Sequence, residues 1–170
     1  GGFLEAFRRS ADTYRDRLIL GFREWDVGAV TATKGKVSIT IHNSSGGWRW
    51  SDDALISGAT GKRFGSMVTG LKTMGFHDSK TGAAGFASSD VQVSFKNGEE
   101  SFVMDLGKKW ENPPQTQSER MDRHQYLKVT DDDTVYEIDW ALSEVIDDLF
   151  REYARKQEKE LEKTLQLKGE

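Results

Sequence analysis

The side chains that most often carry chemistry are few and scattered in this sequence. Its three histidines are His42, His77 and His124, and none has a second histidine at the spacing of metal ligands. It has no cysteine, which excludes disulfides, thiolate nucleophiles and cysteine-ligated zinc. No serine stands in the Gly-x-Ser-x-Gly pattern that presents a nucleophile on a sharp turn. The residues predict no catalytic residue and no metal site, so we expect the chain not to be an enzyme. A hydrolase site assembled through space is the alternative that the sequence leaves open.

Two short motifs are similar to ligand-binding loops without meeting their requirements. Residues 58–62 read Gly-Ala-Thr-Gly-Lys, but a phosphate-binding loop also needs glycine at 56 and serine or threonine at 63, where this chain has Ile56 and Arg63. Residues 131–133 are three aspartates, which suit a hard cation such as calcium. The alternating ligands, central glycine and distal glutamate of a calcium loop are missing, so the run favours a solvated turn. We expect no cofactor.

Trp48 and Trp50 are the apolar pair with the clearest functional alternative. They flank Arg49 in a segment that predicts a β-strand, and side chains two residues apart on a strand point to the same face. Both rings then either cover the core face of a sheet or form an exposed aromatic platform that stacks on a sugar or a peptide. In the second case Trp48, Arg49 and Trp50 are the ligand-binding residues.

The composition is that of one folded domain with a net negative charge. A chain of 170 residues can bury a core, and nine Phe, five Trp and four Tyr are too many for a disordered chain. The net charge of −4 and a pI near 5.5 argue against nucleic-acid binding, which needs a basic surface. No run approaches the roughly 20 apolar residues of a membrane-spanning helix, and no signal peptide is recognisable.

Three segments show the spacing of amphipathic helices. Residues 3–20 and 62–76 carry apolar side chains three or four positions apart. A third helix is predicted to begin near Asp139, a good N-cap, and to bury an apolar stripe as far as Tyr153. Beyond Ala154 lysine and glutamate dominate, which predicts a solvated helix or a segment that faces a partner.

Other segments alternate apolar and polar residues, as half-buried strands do. Strands are predicted around 27–33, 37–41 and 47–50, whereas residues 107–122 are expected to form an exposed excursion. Two hairpins follow from the same pattern: a turn at Asn97-Gly98 that pairs Val93 with Phe102 and Val91 with Met104, and a turn at Asp132-Asp133 that pairs Val129 with Tyr136 and Leu127 with Ile138.

Together these elements predict an α+β fold. We expect a largely antiparallel sheet built from hairpins, two amphipathic helices packed on one face, and a long C-terminal helix. Residues 1–20 form an N-terminal helix that can be read as the tail of an upstream repeat. Residues 21–153 form a single domain, and residues 154–170 form a charged helical extension.

The order of several short motifs resembles a known family. Those motifs are Tyr-Arg-Asp-Arg at 14–17, Gly46-Gly47-Trp48, the helix at 62–74, Gly85-Phe86 before the strand at 91–95, Leu106-Gly107, the strand at 126–129, Val135-Tyr136 and a last helix. Over about residues 10–153 this order resembles a bacterial domain-of-unknown-function family of membrane-anchored extracytoplasmic proteins that accompany gliding-motility-type ABC transporters. The chain departs from the family pattern at 107–122 and in its charged C-terminal extension.

The resemblance implies a location and a role rather than a reaction. It implies an N-terminal membrane anchor that is missing from this chain, a periplasmic or cell-surface position, and a protein partner in a transporter or in the cell envelope. It implies no catalytic residues. We therefore expect a non-catalytic extracytoplasmic binding or scaffolding module, with a glycan- or peptide-binding module that uses the Trp pair as the alternative.

Overall fold

An eight-stranded antiparallel sheet and two helices form most of the described part of the chain, taken from a computed structural model. The structure describes residues 18–20, 23, 26–77, 86, 91–97, 100–113, 122–130, 132 and 134–168. Its strands are β1 (Leu18–Leu20), β2 (Ala29–Lys34), β3 (Val37–Ser44), β4 (Gly47–Trp50), β5 (Leu71–Lys72), β6 (Gly75–His77), β7 (Val91–Asn97), β8 (Glu100–Asn112), β9 (Asp122–Val129) and β10 (Val135–Ile138). Its helices are α1 (Gly58–Gly70) and α2 (Ala141–Lys168).

The strands of the large sheet follow the order β4-β3-β2-β7-β8-β9-β10-β6, with every neighbouring pair antiparallel. β1 and β5 form a separate pair. This confirms the predicted α+β fold with its antiparallel sheet and long C-terminal helix. It also corrects the number of helices. The described residues contain two, because the packed helix predicted after Asp139 and the long charged helix are one continuous element, α2.

The two faces of the sheet differ in polarity because its strands alternate. On β2, Val30 and Ala32 are 2% and 3% exposed, whereas Thr31 points to the other, outer face. There the Thr31 hydroxyl lies 3.0 Å from the hydroxyl of Thr40 on β3. The inner face and the buried sides of both helices form one core, whose members include Ile41, Phe64, Val68, Val93, Phe95, Met104, Leu127, Leu142, Ile146 and Leu149.

Both predicted hairpins form, but in registers that differ from the predicted ones. Val93 faces Met104, two residues further along β8 than predicted. The reason is that β7 and β8 pair up to Asn97 and Glu100, which leaves residues 98–99 as the link. In the second hairpin Leu127 faces Tyr136, two residues earlier on β10 than predicted. A shift by two residues moves no side chain to the other face, so the predicted core positions remain core positions.

α1 begins and ends earlier than the apolar spacing predicts. Ser57 caps its N-terminus, since the hydroxyl accepts the backbone N–H of Thr60 at 3.4 Å. The backbone becomes extended at Leu71, directly after Gly70, and β5 and β6 follow in place of the predicted last turns. Met74 is accordingly 43% exposed rather than part of a buried helical stripe.

β1 occupies the end of a segment that the sequence predicts as helix. Leu18–Leu20 pair with β5 instead, and Leu20 is completely buried. The β-branched side chain of Ile19 suits a strand better than a helix. The rest of that predicted helix, residues 3–17, lies outside the described residues.

β8 continues beyond the end that the sequence predicts. Its pairing with β9 resumes after a bulge between Leu106 and Lys109, and the strand ends at Asn112. β9 supplies hydrogen-bond partners along this stretch, which keep a polar segment in extended form. Residues 107–112 are therefore strand rather than an irregular excursion, although most of them are exposed as predicted. Residues 114–121 lie outside the described part.

α2 begins where the sequence predicts. The Asp139 carboxylate accepts the backbone N–H of Ala141 at 2.9 Å, which caps the helix. The predicted apolar stripe is buried, with an exposure of at most 1% for Leu142, Val145, Ile146 and Leu149. In the ranges that the structure describes, no helix is both long and apolar enough to cross a membrane.

Candidate functional site

Trp48 and Trp50 face the helices rather than solvent. Trp48 is 3% exposed and packs edge-on against Phe64 of α1, with ring centroids 4.8 Å apart. Trp50 is 4% exposed, and its ring centroid lies 5.7 Å from that of Tyr153 on α2. Both rings cover the core face of the sheet, and neither has the exposure that an aromatic platform requires.

Arg49 points to the outer face, away from both rings. Its Nε donates to Ser44 Oγ at 2.9 Å, and Nη1 donates to the backbone oxygen of Asp53 at 2.6 Å. The Asp53 carboxylate lies 3.0 Å from Nε2 of His42 on β3. These contacts tie the loop after β4 to the edge of the sheet. The three residues predicted as one ligand-binding site therefore lie on two different faces.

Asp132 organises the link between β9 and β10. Its Oδ1 accepts the backbone N–H of Thr134 at 2.7 Å, and Oδ2 accepts the hydroxyl of Tyr136. The hydrogen bond from Tyr136 holds the pKa of Asp132 below its usual range, although burial acts in the opposite direction. The carboxylate thus bonds groups of the same hairpin. Within the described ranges, no three His, Asp or Glu side chains are arranged to hold a metal ion; residues 131 and 133 lie outside them.

The outer face carries a group of ionisable and aromatic side chains on β6, β8, β9 and β10. The side chain of His124 is only 8% exposed, and its ring stacks on that of Trp110 with centroids 5.1 Å apart. Nδ1 of His124 lies 2.6 Å from Glu137 Oε1, and Nε2 lies 2.8 Å from Asp122 Oδ2. Glu137 Oε2 in turn lies 2.7 Å from Nε2 of His77. We call this group the His124 cluster, and it comprises His77, Trp110, Asp122, His124, Tyr126 and Glu137.

The His124 cluster joins two imidazoles and two carboxylates in one chain of contacts. Such a chain can hold protons and pass them on, as general acid–base chemistry requires. Nδ1 of His124 is buried and makes no well-aligned hydrogen bond, although Glu137 Oε1 lies 2.6 Å away. Among the described residues, no hydrogen bond joins a serine or threonine hydroxyl to a histidine. In the part of the chain that the structure describes, the cluster is therefore not joined to a serine or threonine hydroxyl of the kind that a hydrolase triad uses.

The His124 cluster cannot be predicted from the spacing of its residues, because its members come from four strands. Only the register of the sheet brings them together: Trp110 faces His124, and Tyr126 faces Glu137. The local signal was limited to the alternation of His124 and Tyr126 on one face of β9. His77 lies 47 positions before His124, and no sequence pattern links the two histidines.

A second polar site lies on the core side, where α2 meets the start of α1. Glu152 Oε2 accepts the backbone N–H of Ser57 at 3.2 Å, and Oε1 accepts the hydroxyls of Ser57 at 2.6 Å and of Thr60. Partial burial alone would raise the pKa of Glu152, but the hydrogen bonds from Ser57 and Thr60 outweigh it and hold the pKa below its usual range. A carboxylate here also suits the positive end of the α1 dipole. Glu152 thereby fixes the direction in which α2 leaves the domain.

Lys156 makes the last ion pair between α2 and another element of the described structure. Its ammonium group donates to the Asp52 carboxylate and, at 2.6 Å, to Glu160. The hydrogen bond between Lys156 and Asp52 raises the pKa of the lysine and lowers that of the aspartate. From residue 157 to residue 167, no hydrogen bond or ion pair joins α2 to another element of the described structure.

Residues 154–168 follow the packed part of the helix, and we call them the distal half of α2. All of them up to Leu167 are exposed except Lys156, which is half-buried. Leu161 and Leu165 are 61% and 62% exposed, and they lie one helical turn apart on the same side. At 1.5 Å per residue this segment extends roughly 22 Å. An isolated helix of this length is marginal in water, so the distal half depends on continuity with the packed half.

Comparisons of the chain with protein-family models, with curated proteins and with solved structures found no match in any of the three. The resemblance to the extracytoplasmic family therefore stays a prediction, and the function has to be inferred from the geometry of the molecule itself.

Proposed function

We propose that this chain is a non-catalytic binding or scaffolding module that presents the distal half of α2 to a protein partner. One observation carries the proposal: Leu161 and Leu165 lie side by side on α2, and both are more than 60% exposed. Neither leucine contributes to the core of the described residues. Burying a leucine side chain fully is worth about 1.5–3 kcal/mol, so covering both gives a partner a useful part of its binding free energy.

The joint between α2 and the domain supports scaffolding rather than loose tethering. Four apolar residues of the packed half are in the core, and Glu152 bonds the N-terminus of α1. Lys156 adds an ion pair with Asp52 one turn later. A helix anchored in this way points in a defined direction, which preorganises its exposed end for binding.

The family resemblance suggests which partner is involved. It favours a component of an ABC transporter or of the cell envelope, at an extracytoplasmic position, with the membrane reached through an anchor outside this chain. The glycan- or peptide-binding alternative relied on exposed Trp48 and Trp50, and both rings are buried. The His124 cluster contains the acid–base pair that a hydrolase would need. In the described residues, however, no serine or threonine hydroxyl is bonded to it.

Co-purification from cells tests the proposal. The full-length protein should bring down its transporter or envelope partner, and the double variant Leu161→Gln with Leu165→Gln should reduce the recovered partner at least tenfold. Glutamine keeps the helix propensity while removing the apolar surface. Val37→Gln is the matched control, because Val37 is 49% exposed on β3 and far from the distal half in sequence. Equal recovery with the double variant and the control would refute the proposed function.

A further inference from the structure

Two grooves meet on the surface beside the start of α1. The first has a volume of about 650 Å³ and lies between α2 and the loop that follows β4, where Trp50, Ala54 and Leu55 line it. The second has a volume of about 520 Å³ and runs along α1 past Gly58 and Gly61. Leu55 and Ser57 line both grooves, and Leu55 is 58% exposed at the point where they meet. Together they form one continuous open surface on this side of the domain.

Gly58 and Gly61 of α1 keep the second groove open, although the packing of the described residues does not require glycine at either position. A Cβ atom on Gly58 would meet no heavy atom within 4 Å, and one on Gly61 would meet only Trp48 Cβ at 4.0 Å. Alanine would therefore fit at both positions, and it is the better helix former. Gly46 and Gly47 line the opposite wall. The missing side chains leave room for the backbone of another chain to lie close to the helix.

The charges along the two grooves are mostly positive, in a chain whose net charge is −4. Arg155, Lys159 and Lys163 lie at intervals of four residues, which places them in one row on α2. The two lining carboxylates, Glu152 and Glu160, are already bonded to Ser57, Thr60 and Lys156. The row therefore concentrates positive charge on this side of α2, and Glu152 and Glu160 neutralise only part of it. The cations that line the grooves are Lys62, Arg155, Lys156, Lys159 and Lys163, against Glu152 and Glu160.

From this geometry we infer that the joined grooves bind an extended acidic segment of a protein partner. Acidic side chains pair with the row of cations on α2, and the backbone continues over the glycines of α1. The open space beside Gly58 and Gly61 admits an extended backbone, and the row of cations favours a segment with negative charge. Leu55 adds an apolar contact where the two grooves meet.

This surface is distinct from the one in the proposed function. Lys159 and Leu161 are two residues apart on α2, and so are Lys163 and Leu165. A two-residue step turns the helix by roughly 200°, so the cations and the leucines face nearly opposite sides. The experiment on one surface can therefore give a negative result without contradicting the proposal for the other surface.

The test uses a rhodamine-labelled peptide of ten glutamates and fluorescence anisotropy on the whole chain. The peptide should bind, and affinity should fall at least tenfold between 20 and 200 mM salt, as expected for screened charges. Lys159→Glu with Lys163→Glu should weaken binding at least tenfold. Lys36→Glu, which makes a similar charge change at an exposed site on the β2–β3 turn, should weaken it less than twofold.

Substitutions of glycine separate binding from stability. Gly61→Gln should weaken peptide binding at least tenfold, because its side chain fills the groove. Gly70→Gln, at the far end of α1 and outside both grooves, should leave binding unchanged. Gly61→Ala should raise the unfolding temperature by about 1–4 °C, which shows that glycine at this position is not needed for folding.

Several outcomes would overturn the inference. The peptide could fail to bind, or Lys36→Glu could weaken binding as much as the double lysine variant does. Binding insensitive to Gly61→Gln would show that charge alone is recognised. Tighter binding to phosphatidylglycerol vesicles, unaffected by Gly61→Gln, would show that the cations serve a lipid surface instead. Leu161→Gln with Leu165→Gln should not change peptide binding, which keeps this result separate from the proposed function.

Discussion

Replacing Trp48 by alanine should lower the free energy of unfolding by about 3–5 kcal/mol, the usual cost of removing a large aromatic side chain from a core. The indole is 3% exposed and contacts the ring of Phe64 edge-on, so its loss leaves a cavity between β4 and α1. Urea unfolding, followed by far-UV circular dichroism, measures the change. Trp48→Phe fills part of the space and should cost clearly less.

The same measurement separates the two interpretations of the Trp pair. An exposed platform residue would tolerate alanine with a change within about 0.5 kcal/mol, as surface positions generally do. Val37→Ala provides that reference, because Val37 is 49% exposed. If Trp48→Ala were as harmless as Val37→Ala, the buried position of the ring would be contradicted.

Replacing Glu152 by glutamine should destabilise the chain by about 1–3 kcal/mol at neutral pH, since hydrogen bonds to a charged group are lost and Thr60, which is buried, loses an acceptor. The carboxylate accepts the backbone N–H and hydroxyl of Ser57 and the hydroxyl of Thr60. An amide offers one acceptor oxygen where the carboxylate offers two. Glu158→Gln is the matched control: Glu158 lies on an exposed part of the same helix and has no bonded partner in the described residues.

The effect of Glu152 should depend on pH in a defined direction. Its pKa in the folded chain is lower than usual, so the folded state binds the proton less readily than the unfolded state does. The stabilisation is therefore complete above the unfolded pKa of about 4.3 and is lost as the pH falls through the folded value. The difference between the wild type and Glu152→Gln should shrink below about pH 4. A difference that stays constant from pH 7 to pH 3 would show that the charge of Glu152 is not involved.

The sequence predicted much of the fold because local patterns fixed the faces of its elements. Alternation placed Val93 and Leu127 in the core, and the two-residue slips in pairing left them there. Asp139 marked the start of α2 because N-capping is a local interaction. Boundaries were less predictable. The stripe at 62–76 fits a helix in isolation, but the Ser57 cap and the chain reversal after Gly70 move α1 earlier.

The polar sites could not be read from the sequence because they depend on contacts between distant residues. Glu152 and Ser57 are 95 positions apart, and Glu137 and His77 are 60 positions apart. No spacing rule links such residues before the sheet order is known. Trp48 and Trp50 show the opposite case: the spacing correctly put both on one face, but it could not say whether that face was covered. The helices that cover it come later in the chain.

Site-specific photocrosslinking in cells tests the central claim most directly. A photoreactive phenylalanine analogue placed at position 161 of the full-length protein should crosslink to one protein partner, a transporter or envelope component. The same analogue at position 37, which is also exposed, should give no such product. Absence of a crosslink from position 161, or the same product from both positions, would contradict the account that the distal half of α2 is the partner-binding surface.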